Sequence, residues 1–396
     1  MRLLHTSDWH LGRTLHGVDL LGHQAEFVDH LVGLVREADV DAVVVSGDVY
    51  DRAVPPVEAV ALLTEALARL AEHATVVVTP GNHDSAVRLG FAAPLLRAGV
   101  HVRTRVADVG RPVELQDEHG PVVVHALPYL DPDSVRRELA EEVDDDGSPR
   151  LLARSHEAVT GAAMRRVRAD LASRTGDRPR SVVMAHAFVV GGAASESERD
   201  IRVGGVDAVP AGVFDGVDYV ALGHLHGPQR LTGPGAAGPV LQYSGSPLAY
   251  SFSEMRQRKG TVLLTLGPDG VQGAPELVPA PVPRRLSEVT GTLDELLGDR
   301  GSGHAQDWVR VVVTDDVRPT DLYPRVRARF PHALVVEHRP AGQAHRPTAG
   351  VVTAARDPLD VVGDFVSHVT ATPPTTAEAA VLRRAYEAVL AGERSD

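Results

Sequence analysis

The chain has 396 residues, 43% of them hydrophobic and 23% charged, and a formal net charge of −13. This composition suits a globular protein with a large core and two or more domains, and excludes collagen-like, coiled-coil and wholly disordered chains. The acidic balance argues against coating nucleic acid through bulk charge, and the absence of cysteine excludes disulfides, thiolate metal sites and cysteine nucleophiles. No apolar run approaches the roughly 18 residues of a membrane span. The opening residues Met1 to Asp8 lack the apolar centre of a signal peptide, so a cytoplasmic location is expected. Lys259 is the sole lysine, and arginine supplies every other basic side chain.

In chain order, short β-branched runs predict buried strands at Arg2–His5, Asp41–Ser46, Thr75–Thr79, Val122–Ala126, Ser181–Ala185 and Val217–Leu222. Between them, Phe27, Leu31, Leu34 and Val35 space a helix over His23–Ala38. Val60, Leu63, Leu67 and Leu70 space another over Pro56–Glu72, with prolines at its start. Alternating strand and helix predicts an α/β fold. The acidic stretch Glu138–Arg150 reads as a solvated loop, and Val240 to Val278 as further strands. Prolines at 275, 279, 281 and 283 predict a linker over 275–284. Beyond it, a strand at Val309–Thr314, a helix at Thr320–Phe330 and a strand at Leu334–Glu337 form a small α/β module. A loop over Arg339–Val352 and helices at Asp357–Thr370 and Thr376–Gly392 follow. The apolar stripe of the last helix suits packing on its own domain or docking to a partner.

Five motifs each follow a predicted strand: Asp8-Trp9-His10, Gly47-Asp48-Val49-Tyr50-Asp51, Gly81-Asn82-His83-Asp84, His186, and Gly223-His224-Leu225-His226. Open α/β sheets place ligands at the carboxyl ends of their strands. In extended backbone, residues two apart point the same way, so Asp8 with His10 and His224 with His226 can each reach one site. Asp8, His10, Asp48, Asn82, His186, His224 and His226 are too many donors for one ion and suit two, with Asp48, central in order, as the bridge. Mixed oxygen and imidazole donors without sulfur suit manganese, iron or zinc better than calcium. Such a pair of ions can clamp a phosphate and activate water.

The ordered set resembles the calcineurin-like metallophosphoesterases. Within them the opening Met1 to Gly12, Gly81 to Ser85, Ala221 to His226, Gln242 to Leu248 and Ser251 to Glu254 resemble the SbcD nucleases, which are related to the meiotic recombination eleven nuclease. The likeness is strong over about residues 1–270 and one of layout from 285 onward. It implies a two-layer β-sandwich flanked by helices with residues 1–278 as nuclease domain. It further implies a small α/β capping domain for DNA at 285–345 and C-terminal helices at 355–392 that bind a partner ATPase. It implies two divalent metal ions, Mn2+ by preference: Asp8, His10 and His226 on the first, Asn82, His186 and His224 on the second, and Asp48 bridging. His83 is implied as the catalytic histidine at the scissile phosphate, and Asp51 is expected to orient it.

The implied activity is hydrolysis of DNA phosphodiesters, exonuclease on duplex ends and endonuclease on single strands or hairpins. The implied partner is an SbcC-type coiled-coil ATPase that gates access, in a heterotetramer built on a homodimer of this chain. The helix His23–Ala38 is a candidate dimer contact by resemblance, although its stripe suits a core equally. Arg13, Arg52, Arg88, Arg199, Arg202 and the cluster Arg256, Arg258, Lys259 are candidates for phosphate contact. Two other functions stay open. One is a small-molecule phosphodiesterase such as a cyclic-nucleotide enzyme, against which the C-terminal extension and the stretch Tyr243 to Glu254 weigh. The other is a non-catalytic DNA-end tether, against which the complete donor set weighs.

Overall fold

The valine runs at 43–45, 76–78 and 122–124 are buried on both faces, as parallel strands covered on each side must be. The computed structural model describes residues 1–96, 99–145, 147–198, 208–231, 238–340, 359, 362–363, 366 and 374–393. In it these runs build two six-stranded sheets. The first runs from edge to edge as Gly270–Pro279, Gly260–Gly267, Arg2–Thr6, Ala42–Ser46, Thr75–Thr79 and Val100–Val102. Its last four strands are parallel; Gly260–Gly267 pairs antiparallel with Arg2–Thr6, and Gly270–Pro279 pairs antiparallel with Gly260–Gly267. The second sheet runs Gln229–Leu231, Val240–Tyr243, Tyr219–Gly223, Arg180–His186, Gly120–Ala126 and Val113–Asp117. Its four inner strands are parallel and both edges antiparallel.

The sheets pack face to face. Leu3, Val44 and Val77 of the first meet Val124, Met184 and Tyr219 of the second in one buried cluster. On the outer face of the first sheet, Val43, Val45, Val76 and Val78 pack under the helices Leu21–Glu37 and Val57–Ala71 through Phe27, Leu31, Val35 and Leu63. The apolar stripe of the first helix therefore faces the core. On the outer face of the second sheet, Val183 and Val220 meet Val159, Ala163 and Val167 of the helix His156–Ser173. The sandwich flanked by helices agrees with the expected fold class. The helix His156–Ser173 was not among the expected elements, because its alanine, glycine and arginine content leaves a weak apolar stripe.

A third sheet, Leu286–Gly291, Trp308–Val313 and Ala333–His338, packs on the helices Leu293–Leu297 and Leu322–Arg329 through Val311, Leu296, Val326 and Phe330. The chain divides into two compact units. One comprises Met1–Val313 with Pro319–Glu337, and the other Thr314–Arg318 with His338–Asp396. In the second unit the helix Thr376–Glu393 is described. The expected helix at 357–370 falls largely outside the described residues, as do the loop residues 341–352.

The linker expected over 275–284 is corrected at its start. Strand Gly270–Pro279 runs through Pro275 and Pro279, and only the residues after it connect to the third sheet. This strand is an edge, where a missing N–H is tolerated. Pro275 also falls where pairing jumps from Thr265–Gln272 to Leu263–Glu276, a bulge that leaves it outside the ladder. Among the described residues, no helix is long and apolar enough to cross a membrane. Met184 is fully buried between the two sheets. Met184→Ala is expected to lower stability by about 2–5 kcal/mol in urea denaturation. A loss below about 1 kcal/mol would refute a close-packed inter-sheet core.

Candidate metal centre

The carboxyl ends of strands from both sheets meet at one edge of the sandwich, and every expected donor lies there. Asp8 and His10 follow Arg2–Thr6, Asp48 follows Ala42–Ser46, and Asn82 follows Thr75–Thr79. His186 ends its own strand, and His224 and His226 follow Tyr219–Gly223. Asp8, His10, Asp48, His186, His224 and His226 are all buried. Their atoms fall into groups able to hold a cation: Asp8 with His10 and His226, Asp8 with Asp48 and His186, and His10 with Asp48 and His83. Asp48 lies between. Its Oδ2 is 3.7 Å from His10 Nε2, 3.4 Å from His186 Nε2 and 3.9 Å from His83 Nε2. Asn82 Oδ1 joins the far side, 2.9 Å from His186 Nε2 and 3.3 Å from His224 Nδ1.

The backbone that presents these groups differs from the extended one expected. Asp8, His10 and Asp48 have φ of 55°, 46° and 48°, and His224 has 103°. Such conformations cost side-chain-bearing residues on the order of 1–3 kcal/mol each and persist where surrounding contacts impose them. Those contacts run between the loops. Asp8 N–H donates to Gly47 O at 3.0 Å and His10 N–H to Asp48 O at 3.0 Å. His224 N–H donates to Asp8 Oδ1 at 3.1 Å, and His83 N–H to Asp48 Oδ1 at 2.8 Å. The Asp84 carboxylate accepts from the N–H groups of Gly81, Val49 and Tyr50 at 2.9–3.0 Å, tying the third motif to the second. Space is equally constrained. A Cβ on Gly223 would stand 1.9 Å from Ser46 O, and one on Gly81 2.2 Å from Asp48 Oδ1.

Second contacts set which nitrogen of each imidazole faces the site. A carbonyl only accepts, so His186 Nδ1 carries the proton it donates to Ser46 O at 3.0 Å and Nε2 is left for the site. His226 Nδ1 contacts Glu254 Oε1 at 3.1 Å and Ser197 Oγ at 2.9 Å, and its Nε2 lies 3.1 Å from His10 Nε2. Two buried imidazole nitrogens that close, both aimed at one point beside Asp8, fit a shared small cation. His10 Nδ1 is buried without a hydrogen-bond partner. The donor set, oxygen and imidazole without sulfur, fits the divalent metals expected.

His83 is 9% exposed and sits beside the donors. Its Nδ1 donates to the main-chain carbonyl of Asp51 at 2.7 Å. The expectation that Asp51 orients His83 therefore changes its chemistry: the carbonyl makes the contact. The Asp51 carboxylate turns instead to Arg13 Nη1 at 3.3 Å and to His10 Nδ1 at 3.7 Å. Arg13 also lies over the Tyr250 ring and donates to Ser197 O at 3.2 Å, so its guanidinium is occupied within the site. Arg52, Arg88, Arg256 and Arg258 are exposed. Arg199 and Arg202 lie outside the described residues. Lys259 is a correction: it is buried and ion-paired with Glu254, where it reaches no surface ligand.

Sequence reasoning missed Glu254, Ser197 and Glu198, whose Oε1 accepts from His226 N–H at 2.8 Å. Glu254 lies in a stretch that carried the resemblance, which could have pointed to it. Ser197 and Glu198 carry no sequence signal.

Charge in the cluster is strongly perturbed. Burial opposes the charge of Asp48, yet His186 and His10 hold its carboxyl well below the usual range. Burial also opposes a charged His186, but Asp48 outweighs it and raises the imidazole to about 9. Burial pushes Asp8 up to about 6, pushes Asp84 up to about 7 with help from Asp48, and drops His224 to about 3.

The calcineurin-like phosphoesterase family model matches residues 1–228. A second model, SbcD_C, described as the type 5 capsule protein repressor C-terminal domain, matches residues 282–370. Among solved structures, a dimetal phosphatase from Danio rerio is 12% identical, covering 71% of this chain and 99% of that one at a TM-score of 0.42. The protein TT1561 of Thermus thermophilus is 12% identical over 70% of this chain and 98% of that one, at 0.37. GAP50, the anchor in the inner membrane complex of Plasmodium, is 11% identical over 70% and 84%, at 0.39. Likenesses this distant say nothing of substrate.

The metal-free protein should lose stability as pH rises from about 6.5 to about 9. His186 binds a proton more tightly folded than unfolded, so its contribution is full below about 6.5 and is lost as pH climbs through about 9. The contribution of Asp84 is nearly gone by about 7 and that of Asp8 by about 6, so His186 carries this window. Cations replace those protons, so Mn2+ should raise the melting temperature more at pH 8.5 than at pH 6.5. Equal gains at both pH values would contradict this assignment.

Proposed function

The chain belongs to the calcineurin-like phosphoesterases, a family of metal-dependent hydrolases, and from that premise we propose that it is the nuclease subunit of a DNA-end and hairpin processing complex. The observation that carries the reading is a buried two-cation donor cluster followed in the same chain by an SbcD_C segment. That pairing supports a nuclease-type phosphoesterase over a small-molecule phosphodiesterase, for which residues 282–370 have no evident use.

Asp8, His10 and His226 are proposed to hold one cation, Asn82, His186 and His224 the other, and Asp48 both, with manganese the proposed metal. Bound there, two divalent ions supply Lewis acidity toward a phosphodiester and a nucleophile at neutral pH. The chain's own groups do the rest. Asp51 O keeps the proton on His83 Nδ1 and turns Nε2 toward the cluster. With a second proton on Nε2, the His83 imidazolium donates to a phosphate oxygen and passes that proton to the departing alkoxide, leaving the neutral ring with its proton on Nδ1. Ser46 O and Glu254 hold His186 and His226 in the tautomers that present Nε2. Exposed Arg52, Arg88, Arg256 and Arg258 are the proposed contacts to the DNA backbone.

The proposed partner is an SbcC-type coiled-coil ATPase, within a heterotetramer built on a homodimer of this chain. Residues 285–345 are proposed to cap the DNA and 355–392 to bind the ATPase. A cytoplasmic location follows from that role.

The deciding assay is cleavage of end-labelled duplex and single-stranded DNA with Mn2+, with and without the ATPase. Small diesters and cyclic nucleotides run alongside. The wild type should cut DNA, and His83→Gln should lose about 10²–10⁴-fold in rate. Asp51→Asn, which keeps the carbonyl, should lose far less. Hydrolysis of small diesters without DNA cleavage would overturn the nuclease reading in favour of a phosphodiesterase. Bound metal with no hydrolysis at all would favour a tether. Truncation after Pro340 should abolish ATPase binding, and normal binding by the truncated chain would refute that placement.

A further inference from the structure

One lysine stands in a chain that otherwise uses only arginine, and it is buried beside the metal centre. Lys259 is 5% exposed. Its ammonium donates to the Glu254 carboxylate, to Gln257 Oε1 at 2.7 Å, to Ser246 Oγ at 2.8 Å and to the main-chain oxygen of His226 at 2.9 Å. Glu254 is 1% exposed. One of its oxygens meets Lys259, and the other, Oε1, lies 3.1 Å from His226 Nδ1. Lys259 thus grips His226 twice, directly at its carbonyl and through Glu254 at its ring. Four acceptors crowd one compact cation, and a planar guanidinium fork does not fit such a point-charge socket. Arg180, another buried cation, spreads its fork over both Asp117 oxygens and the carbonyls of Leu266 and Gly120. At Lys259 the four acceptors converge on one nitrogen instead, and there the shape of the cation matters.

We propose that Lys259 and Glu254 are positioning residues for the metal ligand His226. The ammonium neutralises and anchors the buried carboxylate, which would otherwise be an uncompensated charge. The anchored carboxylate keeps the proton on Nδ1 and raises the basicity of Nε2, the nitrogen that faces Asp8 and His10. Ser197 Oγ, bonded to both Glu254 and His226 Nδ1, closes the ring of contacts. This inference rests on the two-cation reading of the site and not on the identity of the substrate.

The test is Mn2+ binding to the full metal-free chain, by calorimetry and electron paramagnetic resonance, with melting temperature recorded in parallel. The wild type should bind two ions whose spectrum is that of a coupled pair. Lys259→Met and Lys259→Arg should weaken one of the two sites about 10–100-fold and leave the spectrum of an isolated ion at intermediate Mn2+. Where Lys259→Met does not fold, Glu254→Gln carries the test, because it keeps the shape and an acceptor but removes the charge. One weakened site in that variant supports the proposal. Two sites at wild-type affinity, with only the melting temperature lowered, would overturn it, since the pair would then merely hold the loop from Ser246 to Lys259. A wild type that binds fewer than two ions would overturn the two-cation reading itself, a failure distinct from a loss of DNA cleavage.

Discussion

A carboxylate with almost no access to water, Asp48, stands among His10, His83 and His186, and much of the architecture serves to keep it charged. An unpaired buried charge costs several kcal/mol, so the site exists only while partners surround it. Those partners come from different sheets. His10 and His83 follow strands of the first, and His186 ends a strand of the second. The face-to-face packing of Leu3, Val44 and Val77 on Met184 and Tyr219 is thus what brings the opposing charges together. The inter-sheet core and the chemistry are one structural requirement.

The close approach also dictates local backbone. Gly47, Gly81 and Gly223 stand where a Cβ would strike His186, Asp48 or Ser46. Asp8, His10, Asp48 and His224 adopt positive φ because hydrogen bonds from neighbouring loops hold them there. Around the donors lies a second ring of acceptors. Ser46 O fixes His186, Asp51 O fixes His83, and Glu254 with Ser197 fixes His226. Each leaves Nε2 toward the centre, so several strands and loops converge on one protonation pattern.

Much of this was legible in the chain itself. Valine runs ending in Gly, Asp or His marked the strands and the donors after them, because parallel strands buried on both faces leave a continuous apolar signature. The helix His156–Ser173 escaped, since small residues pack it closely without an apolar stripe. The strand through Pro275 escaped because proline reads as a break unless the edge and bulge that tolerate it are known. Asp51 was expected to orient His83 and meets it through its main-chain carbonyl, since spacing along a chain does not distinguish a carboxylate from the carbonyl of the same residue.

The sequence by itself supplied the candidate donor types, their order, and their attachment to strand ends, because these depend on residues adjacent in the chain. It also excluded sulfur ligation and left a single lysine to be explained. Only the tertiary structure decided that Lys259 is buried rather than offered to DNA, and that Glu254 and Ser197 stand behind His226. It alone decided that Asp8 and His10 meet their site through left-handed rather than extended backbone. Those outcomes depend on contacts between segments far apart in sequence, where burial and mutual charge, not local propensity, set the lowest free energy.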